Sequence, residues 1–295
     1  MKHLVGIQDL SDDDIRAILK RSARMEREML DSHEVLDDRI ICTAFFEPST
    51  RTRLSFEAAA HRLGANVIGF SDPASTSTSK GETLEDTTRI LSGYCDLIVL
   101  RHPKEGAAAR AAKVSPVPIV NAGDGPGEHP TQTLLDLYTI EKEKGRIKGV
   151  RVGLVGDLLN GRTVHSLVPA LKRLGAIPVA VAAPGLELPS NLGAGVEKAS
   201  LDEAARSCDV LYVTRVQKER FLTPAAYEAV KGSFLIDLKL LERNHSQAIV
   251  LHPLPRVDEI HDEMDSSPAA KYFDQARNGL PVRMAVLAHL LEKAR

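Results

Sequence analysis

Short apolar runs of strand length alternate with amphipathic stretches of helix length, and the alternation happens twice. In the first half, strands are expected at 40–46, 65–70, 96–100 and 118–121. Helices are expected at 10–30, 53–63, 83–94, 106–114 and 131–144. Ser11 reads as the N-cap of the first helix, with Asp12, Asp13 and Asp14 in its opening turn, and Gly64 ends the second. A polar break follows at 142–149, KEKGRIKG, and the pattern restarts. Strands are then expected at 150–155, 178–182, 210–214, 234–238 and 249–251. Helices are expected at 162–174 and from Pro281 to 293, with Pro281 at the helix start. Repeated strand–helix units imply an α/β chain of two domains, each a parallel sheet flanked by helices, with the boundary near residue 147.

Composition narrows the function. The chain has 295 residues, 43% of them hydrophobic, which is enough for two cores. A net charge of −2 argues against nucleic acid as the main partner, because phosphate-backbone binding needs a basic excess. A small anion is not excluded, since one cleft can be basic within a near-neutral protein. Cys42, Cys95 and Cys208 are far apart and join no Cys/His cluster, so neither a metal site nor a disulfide framework is expected. No signal peptide and no 18-residue apolar run is seen, so no membrane span is expected, and the default location is the cytoplasm.

In parallel sheets, ligands bind outside the carboxyl ends of strands, so those loops carry the functional reading. The first strand runs into FFEPSTRTRLSFE. A helix start leaves N–H groups unpaired and carries partial positive charge. Ser49, Thr50 and Thr52 add hydroxyls there, and Arg51 and Arg53 add guanidinium forks, which together make an anion site. The glycines and Lys-Ser/Thr ending of a Walker loop are missing. Arg101 closes the third strand. The fourth leads through the glycine-rich NAGDGPGEHPTQT, which sets His129 at a helix mouth with Gln132 in the first turn. Read alone, His129 suits a capping role as well as a donor to a carbonyl oxygen. The Ser/Thr-rich stretch 71–79 ends in Lys80, and reads either as a linker or as a mobile anion-binding lid. In the second half, GLVGDLLNGRT fails the GxGxxG spacing of a dinucleotide loop but places Arg162 at a helix start. Arg215 follows the strand at 210–214, and His252-Pro253-Leu254-Pro255-Arg256 follows the one at 249–251. Two such arginines suit two carboxylates, although each alone reads equally as a surface residue.

These segments resemble the aspartate carbamoyltransferase family: FFEPSTRTR at 45–53, SKGET at 79–83, RHP at 101–103, HPTQT at 129–133, GRTVHS at 161–166, TRVQKER at 214–220 and HPLPR at 252–256. STRTR is shared with the ornithine carbamoyltransferases, whereas HPTQ, HPLPR and RVQKER favour aspartate as acceptor. The resemblance implies a carbamoyl-phosphate-binding domain at 1–135 plus 282–295, with the C-terminal helix returning to it, and an aspartate-binding domain at 148–281. It implies that Ser49, Thr50, Arg51 and Thr52 hold the phosphate and that Arg101 bridges phosphate and carbonyl oxygen. Thr50, Arg101 and His129 would polarise that oxygen. Gln132 and the backbone at Leu254 and Pro255 would position the carbamoyl nitrogen, and Arg162, Arg215 and Gln217 would hold the aspartate carboxylates. Ser77 and Lys80 match residues that the family supplies from a neighbouring subunit, with Lys80 also reaching aspartate. A homotrimer with shared sites is the expected active unit, and a separate regulatory chain is left open. Ser75, Thr76 or Ser79 could take the place of Ser77, because the loop is crowded with hydroxyls.

Amine attack on a carbamoyl carbon puts negative charge on the carbonyl oxygen, so fixed donors are the main catalytic requirement, and no metal, cofactor or nucleophilic side chain is needed. Two rival readings are a carbamoyltransferase with an ornithine-type acceptor and a non-catalytic phosphometabolite-binding regulator. Two cationic forks for the acceptor disfavour ornithine. The regulator would not need His129, Arg101 and a carboxylate site together.

Overall fold

Hydrophobic patterning is realised as two parallel sheets. The computed structural model describes residues 2–28, 35–72, 80–216, 223, 227 and 232–293. The chain divides into one unit of Met1–Tyr138 with Asn278–Arg295, and a second of Thr139–Arg277.

In the first unit, α1 (Asp12–Arg27) is opened by a capping box in which Ser11 and Asp14 satisfy each other's backbone N–H groups. β1 (Ile40–Phe45), α2 (Thr50–Arg62), β2 (Asn66–Phe70), α3 (Leu84–Leu91), β3 (Leu97–His102), α4 (Ala107–Val114) and β4 (Ile119–Asp124) follow. The strands lie in the order β2-β1-β3-β4, all parallel. β1, β3 and β4 are buried almost throughout and are mostly apolar, as suits parallel strands covered on both faces, with polar residues towards the carboxyl ends of β3 and β4. α5 (Pro130–Lys144) carries the chain into the second unit.

The second unit contains β5 (Arg151–Val155), α6 (Arg162–Arg173), β6 (Ile177–Val181), α7 (Ser190–Gly193), β7 (Glu197–Lys198), α8 (Leu201–Ser207), β8 (Val210–Val213), α9 (Leu238–Arg243) and β9 (Ile249–Leu251). Its parallel sheet has the order β7-β6-β5-β8-β9. Its core gathers Val155, Val179, Leu211, Val213, Ile236 and Tyr272. α10 (Tyr272–Lys293) then returns the chain to the first unit. There it docks on α1 through Arg21, which grips Glu292 with both Nη atoms at 2.6 and 2.7 Å, and through His289, 3.4 Å from Asp14.

Two expectations are corrected. The strand at 234–238 is reduced to a single bridge between Ile236 and Ile260, because Asp237 caps α9 by accepting from the Leu240 N–H at 2.7 Å and so turns the chain into a helix. Pro281 lies inside α10, which begins nine residues earlier at Tyr272. Proline lacks one helical donor, but the buried residues around it, among them Val282, Met284 and Ala285, keep the helix continuous. Short α7, β7 and α8 carry too few periods to be visible in the pattern.

Candidate active site

Both sheets have a topological switch point, where consecutive strands leave in opposite directions and open a crevice at their carboxyl ends. In the first sheet it lies between β1 and β3. Phe45 is the register partner of Arg101, and the Phe46 N–H donates to the Arg101 carbonyl at 2.8 Å. The segment from Glu47 to Arg53 therefore leaves the sheet beside Arg101.

α2 starts without a side-chain cap. Ser49 is extended and its carbonyl accepts from Arg53 N at 3.1 Å, but its hydroxyl takes no cap bond. Ser11, Thr83 and Ser200 all accept from the backbone of their helices. Thr52 is buried, Ser49 is half-buried, and Thr50 and Arg51 are exposed at this open end. Although Arg51 keeps much of its surface in solvent, partial burial of its guanidinium, and after it the positive charge of Arg101, lower its pKa. Like charges set close together are what an anion site requires when empty. Arg53 plays a different part from the one expected: its Nε pairs with Glu57 at 2.7 Å, and Glu57 also accepts from Thr43, so this fork ties α2 to β1.

Arg101 is buried. Its Nη1 donates to the Ala122 carbonyl at 3.1 Å and its Nη2 to Glu47 at 2.8 Å, while its Nε finds no partner among the described residues. Gly123, at φ +113°, makes its packing possible. A Cβ there would sit 2.9 Å from Arg101 Nη1 and 3.5 Å from His129 Cδ2. His129 is buried and caps α5 through its carbonyl, which accepts from Gln132 N and Thr133 N at 2.9 and 3.2 Å. Its Nδ1 is 3.5 Å from the Thr131 hydroxyl. The capping and cleft-facing readings of His129 are thus compatible: the backbone caps while the ring packs beside Gly123 and Arg101. Gln132 donates its amide nitrogen to Asp136 at 2.8 Å. Lys80 is exposed ahead of α3 and makes no ion pair with a described residue. Ser75, Thr76, Ser77, Ser79 and Gln217 lie outside the described residues.

In the second sheet the switch point lies between β5 and β8. Thr214 N and Oγ1 both donate to the Val155 carbonyl, at 2.8 and 3.0 Å, and fasten the two strand ends together. Gly156, at φ +113°, leaves room for the Thr214 carbonyl, 2.3 Å from where a Cβ would lie. The loop from β5 to α6 is knotted by Asp157, which accepts from Asn160 N at 3.0 Å, and it delivers half-buried Arg162 as the first residue of α6. Arg215, also half-buried, follows β8. The structure thus brings Arg162 and Arg215 to the two loops that flank one switch point.

HPLPR follows β9, the neighbour of β8. The Leu254–Pro255 peptide is cis, and Leu254 has φ +53°. His252 shapes this turn. The Leu254 N–H donates to His252 Nδ1 at 2.8 Å, so the ring's proton sits on Nε2 and is given to Glu259 Oε1 at 2.7 Å. The other Glu259 oxygen accepts from Val257 N and Asp258 N. Burial pushes the Glu259 carboxyl up, but its His252 and backbone donors outweigh that effect and hold it below the usual carboxylate range. Arg256 is occupied by Asp265 and the Tyr272 hydroxyl and lies 5.2 Å from the Tyr272 ring centre, so it anchors the loop. Sequence reasoning missed Glu47, Gly123, Asp136 and Glu259. Gly123 had a signal in the glycine-rich loop and Glu47 lies inside FFEPSTRTR, whereas the roles of Asp136 and Glu259 depend on which motif side chain each meets in the fold.

Among the described residues, no group of three or more His, Cys, Asp or Glu side chains is placed to hold a metal ion, and no helix is long and apolar enough to cross a membrane.

Residues 2–142 match the family model described as the carbamoyl-P binding domain of aspartate/ornithine carbamoyltransferase, and residues 148–290 match its Asp/Orn binding domain. The chain is 51% identical to the aspartate carbamoyltransferase catalytic subunit of Methanocaldococcus jannaschii over 99% of this chain and 98% of that protein. It is 48% identical to the Archaeoglobus fulgidus catalytic subunit over 99% of both. Its structure is similar to that of the M. jannaschii aspartate transcarbamoylase catalytic subunit, with a TM-score of 0.93, 50% identity and 99% coverage of both chains. The Trypanosoma cruzi aspartate transcarbamoylase in complex with N-(phosphonacetyl)-L-aspartic acid is similar at a TM-score of 0.91, with 41% identity, 97% of this chain and 95% of that one.

The Glu259 geometry carries a stability prediction. Glu259→Gln replaces an oxygen that accepts two backbone N–H groups with a donor, and should cost about 1–3 kcal/mol at neutral pH. A carboxyl with a depressed folded pKa contributes stability above its unfolded pKa and loses it as pH falls through the folded value. The difference between wild type and variant in urea unfolding should therefore shrink below the usual carboxylate range. A difference that stays constant down to strongly acidic pH would count against this role for the carboxylate.

Proposed function

We propose that this chain, which belongs to the aspartate/ornithine carbamoyltransferase family and within it to the aspartate carbamoyltransferase catalytic subunits, transfers the carbamoyl group of carbamoyl phosphate to the amine of L-aspartate. The products are N-carbamoyl-L-aspartate and phosphate, and the reaction serves de novo pyrimidine biosynthesis. The observation that carries the reading is the buried guanidinium of Arg101 beside an uncapped, arginine-bearing helix start at the first switch point.

The residue roles follow from the chemistry. Ser49, Thr50, Arg51 and Thr52 take the phosphate, with backbone and hydroxyl donors beside a charged fork. Arg101 serves both phosphate and carbonyl oxygen, and Thr50 and His129 join it as donors to that oxygen. The aspartate nitrogen attacks the carbamoyl carbon, and the charge that develops on the oxygen meets donors already in place, each worth about 10²–10³ in rate. The carbon–oxygen bond to phosphate then breaks, and the departing phosphate takes the electron pair and the proton released by the amine. The Gln132 carbonyl oxygen and the backbone at Leu254 and Pro255 receive the carbamoyl N–H groups. Arg162, Arg215 and Gln217 hold the two carboxylates of aspartate. Their cationic forks suit a dicarboxylate and repel the side chain of ornithine. Residues 1–135 with 282–295 form the carbamoyl-phosphate half, and 148–281 the aspartate half.

The active assembly is a homotrimer in the cytoplasm, in which Ser77 and Lys80 of one chain complete the site of the next. In support, Leu54, Ile68, Ile90 and Tyr94 are exposed at 55%, 39%, 54% and 62% on the first unit, more apolar surface than an isolated domain tends to leave in water. β2 forms an open sheet edge on the same unit. A separate regulatory chain is compatible with relatives described as catalytic subunits.

Purified protein given carbamoyl phosphate with either aspartate or ornithine should form carbamoyl-aspartate and no citrulline. Citrulline alone would reassign the acceptor, and no product with either would favour a non-catalytic phosphometabolite-binding protein. Lys80→Ala and Arg51→Ala, each inactive alone, should regain part of the wild-type rate when their subunits are exchanged. Folded, exchanged mixtures that stay inactive would show that each site lies within one chain.

A further inference from the structure

Behind Gln132 lies a buried carboxyl group that the reaction itself does not use. Gln132 and Asp136 are one turn apart on α5, both buried, and the Gln132 amide nitrogen donates to Asp136 Oδ1 at 2.8 Å. A carboxylate only accepts, so it is the NH2 end of the amide that must face it. The Gln132 carbonyl oxygen is thereby turned the other way. Arg283 of α10 is also buried, at 4% exposure. It also lies 5.1 Å from the centre of the Phe56 ring on α2, and its Nε has no partner among the described residues. Gly279, one helical turn earlier, leaves it space: a Cβ there would sit 2.2 Å from Arg283 Nη1. Burial of so large a cation is costly and pulls the Arg283 pKa down to about 10, against the pull of Asp136. A purely structural core would be served as well by apolar side chains of similar volume.

We infer that Asp136 fixes the Gln132 amide with its oxygen towards the substrate and so selects an acyl phosphate that carries an NH2 group over one that carries a methyl group. Asp136 is a positioning residue that acts through Gln132. The inference rests on the reading of Gln132 as acceptor for the carbamoyl nitrogen. With the orientation lost, the amide can present its own NH2 to the substrate NH2, donor against donor, which removes the preference.

Two stable analogues separate the possibilities: phosphonoacetamide, which carries the NH2 group, and acetonylphosphonate, which carries a methyl group in its place. Calorimetric titration of wild type should show tighter binding of phosphonoacetamide. In Asp136→Leu, which removes the acceptor at similar volume, the ratio of the two affinities should fall by about tenfold, the loss of roughly one well-made hydrogen bond. Asp136→Asn, whose amide oxygen can still accept from Gln132, should lower the ratio less, and it supplies the reading if Asp136→Leu does not fold. A ratio unchanged within about twofold in the folded variants, with both affinities falling together, overturns the inference, since that is what a merely structural role would give. Absence of any preference in wild type defeats instead the assignment of Gln132 as acceptor.

Discussion

Everything in the first unit's candidate site depends on one buried cation. Arg101 sits at the carboxyl end of β3, at the switch point, where its guanidinium must be paid for by local acceptors. The Ala122 carbonyl and Glu47 supply them, and Gly123 gives way so that the group can approach the end of β4. His129 packs against the same glycine. Arg51 stands in the first turn of α2, which leaves the sheet beside Arg101. A buried cation, an uncapped helix start and a buried histidine gather where the strand order reverses, so an anion bound there would meet donors and positive charge already in place.

The second unit solves a different problem with the same topology. Its switch point presents Arg162 and Arg215 on loops that are braced from within, through Asp157 with Asn160 and through Thr214 with Val155. The HPLPR turn is held by His252 on one side and Arg256 on the other, and neither is free to act as a mobile surface group. What the turn presents is backbone, which suits recognition of an amide-like nitrogen.

Much of this is legible in the sequence for a physical reason. Parallel strands buried on both faces are mostly apolar, so β1, β3, β4, β5 and β8 stand out as short runs. Since ligands gather at strand ends, the residues just after those runs can be named from the pattern alone. Ser49 to Thr52, Arg101, His129, Arg162 and Arg215 stand out in this way. Arg53 follows the same rule yet pairs with Glu57, because an i,i+4 partner on its own helix is nearer than any ligand. Pro281 misleads because proline marks a helix start by propensity, whereas tertiary packing carries α10 through it. Asp136, Arg283 and Glu259 stay hidden because their roles arise from contacts between distant segments or behind a motif.

The most direct test of the central claim is a crystal structure of the protein with phosphonoacetamide. The phosphonate should lie at the start of α2, within hydrogen-bond reach of Thr52, Arg51 and Arg101. A phosphonate bound elsewhere, or none at that helix start at saturating concentration, would contradict the account.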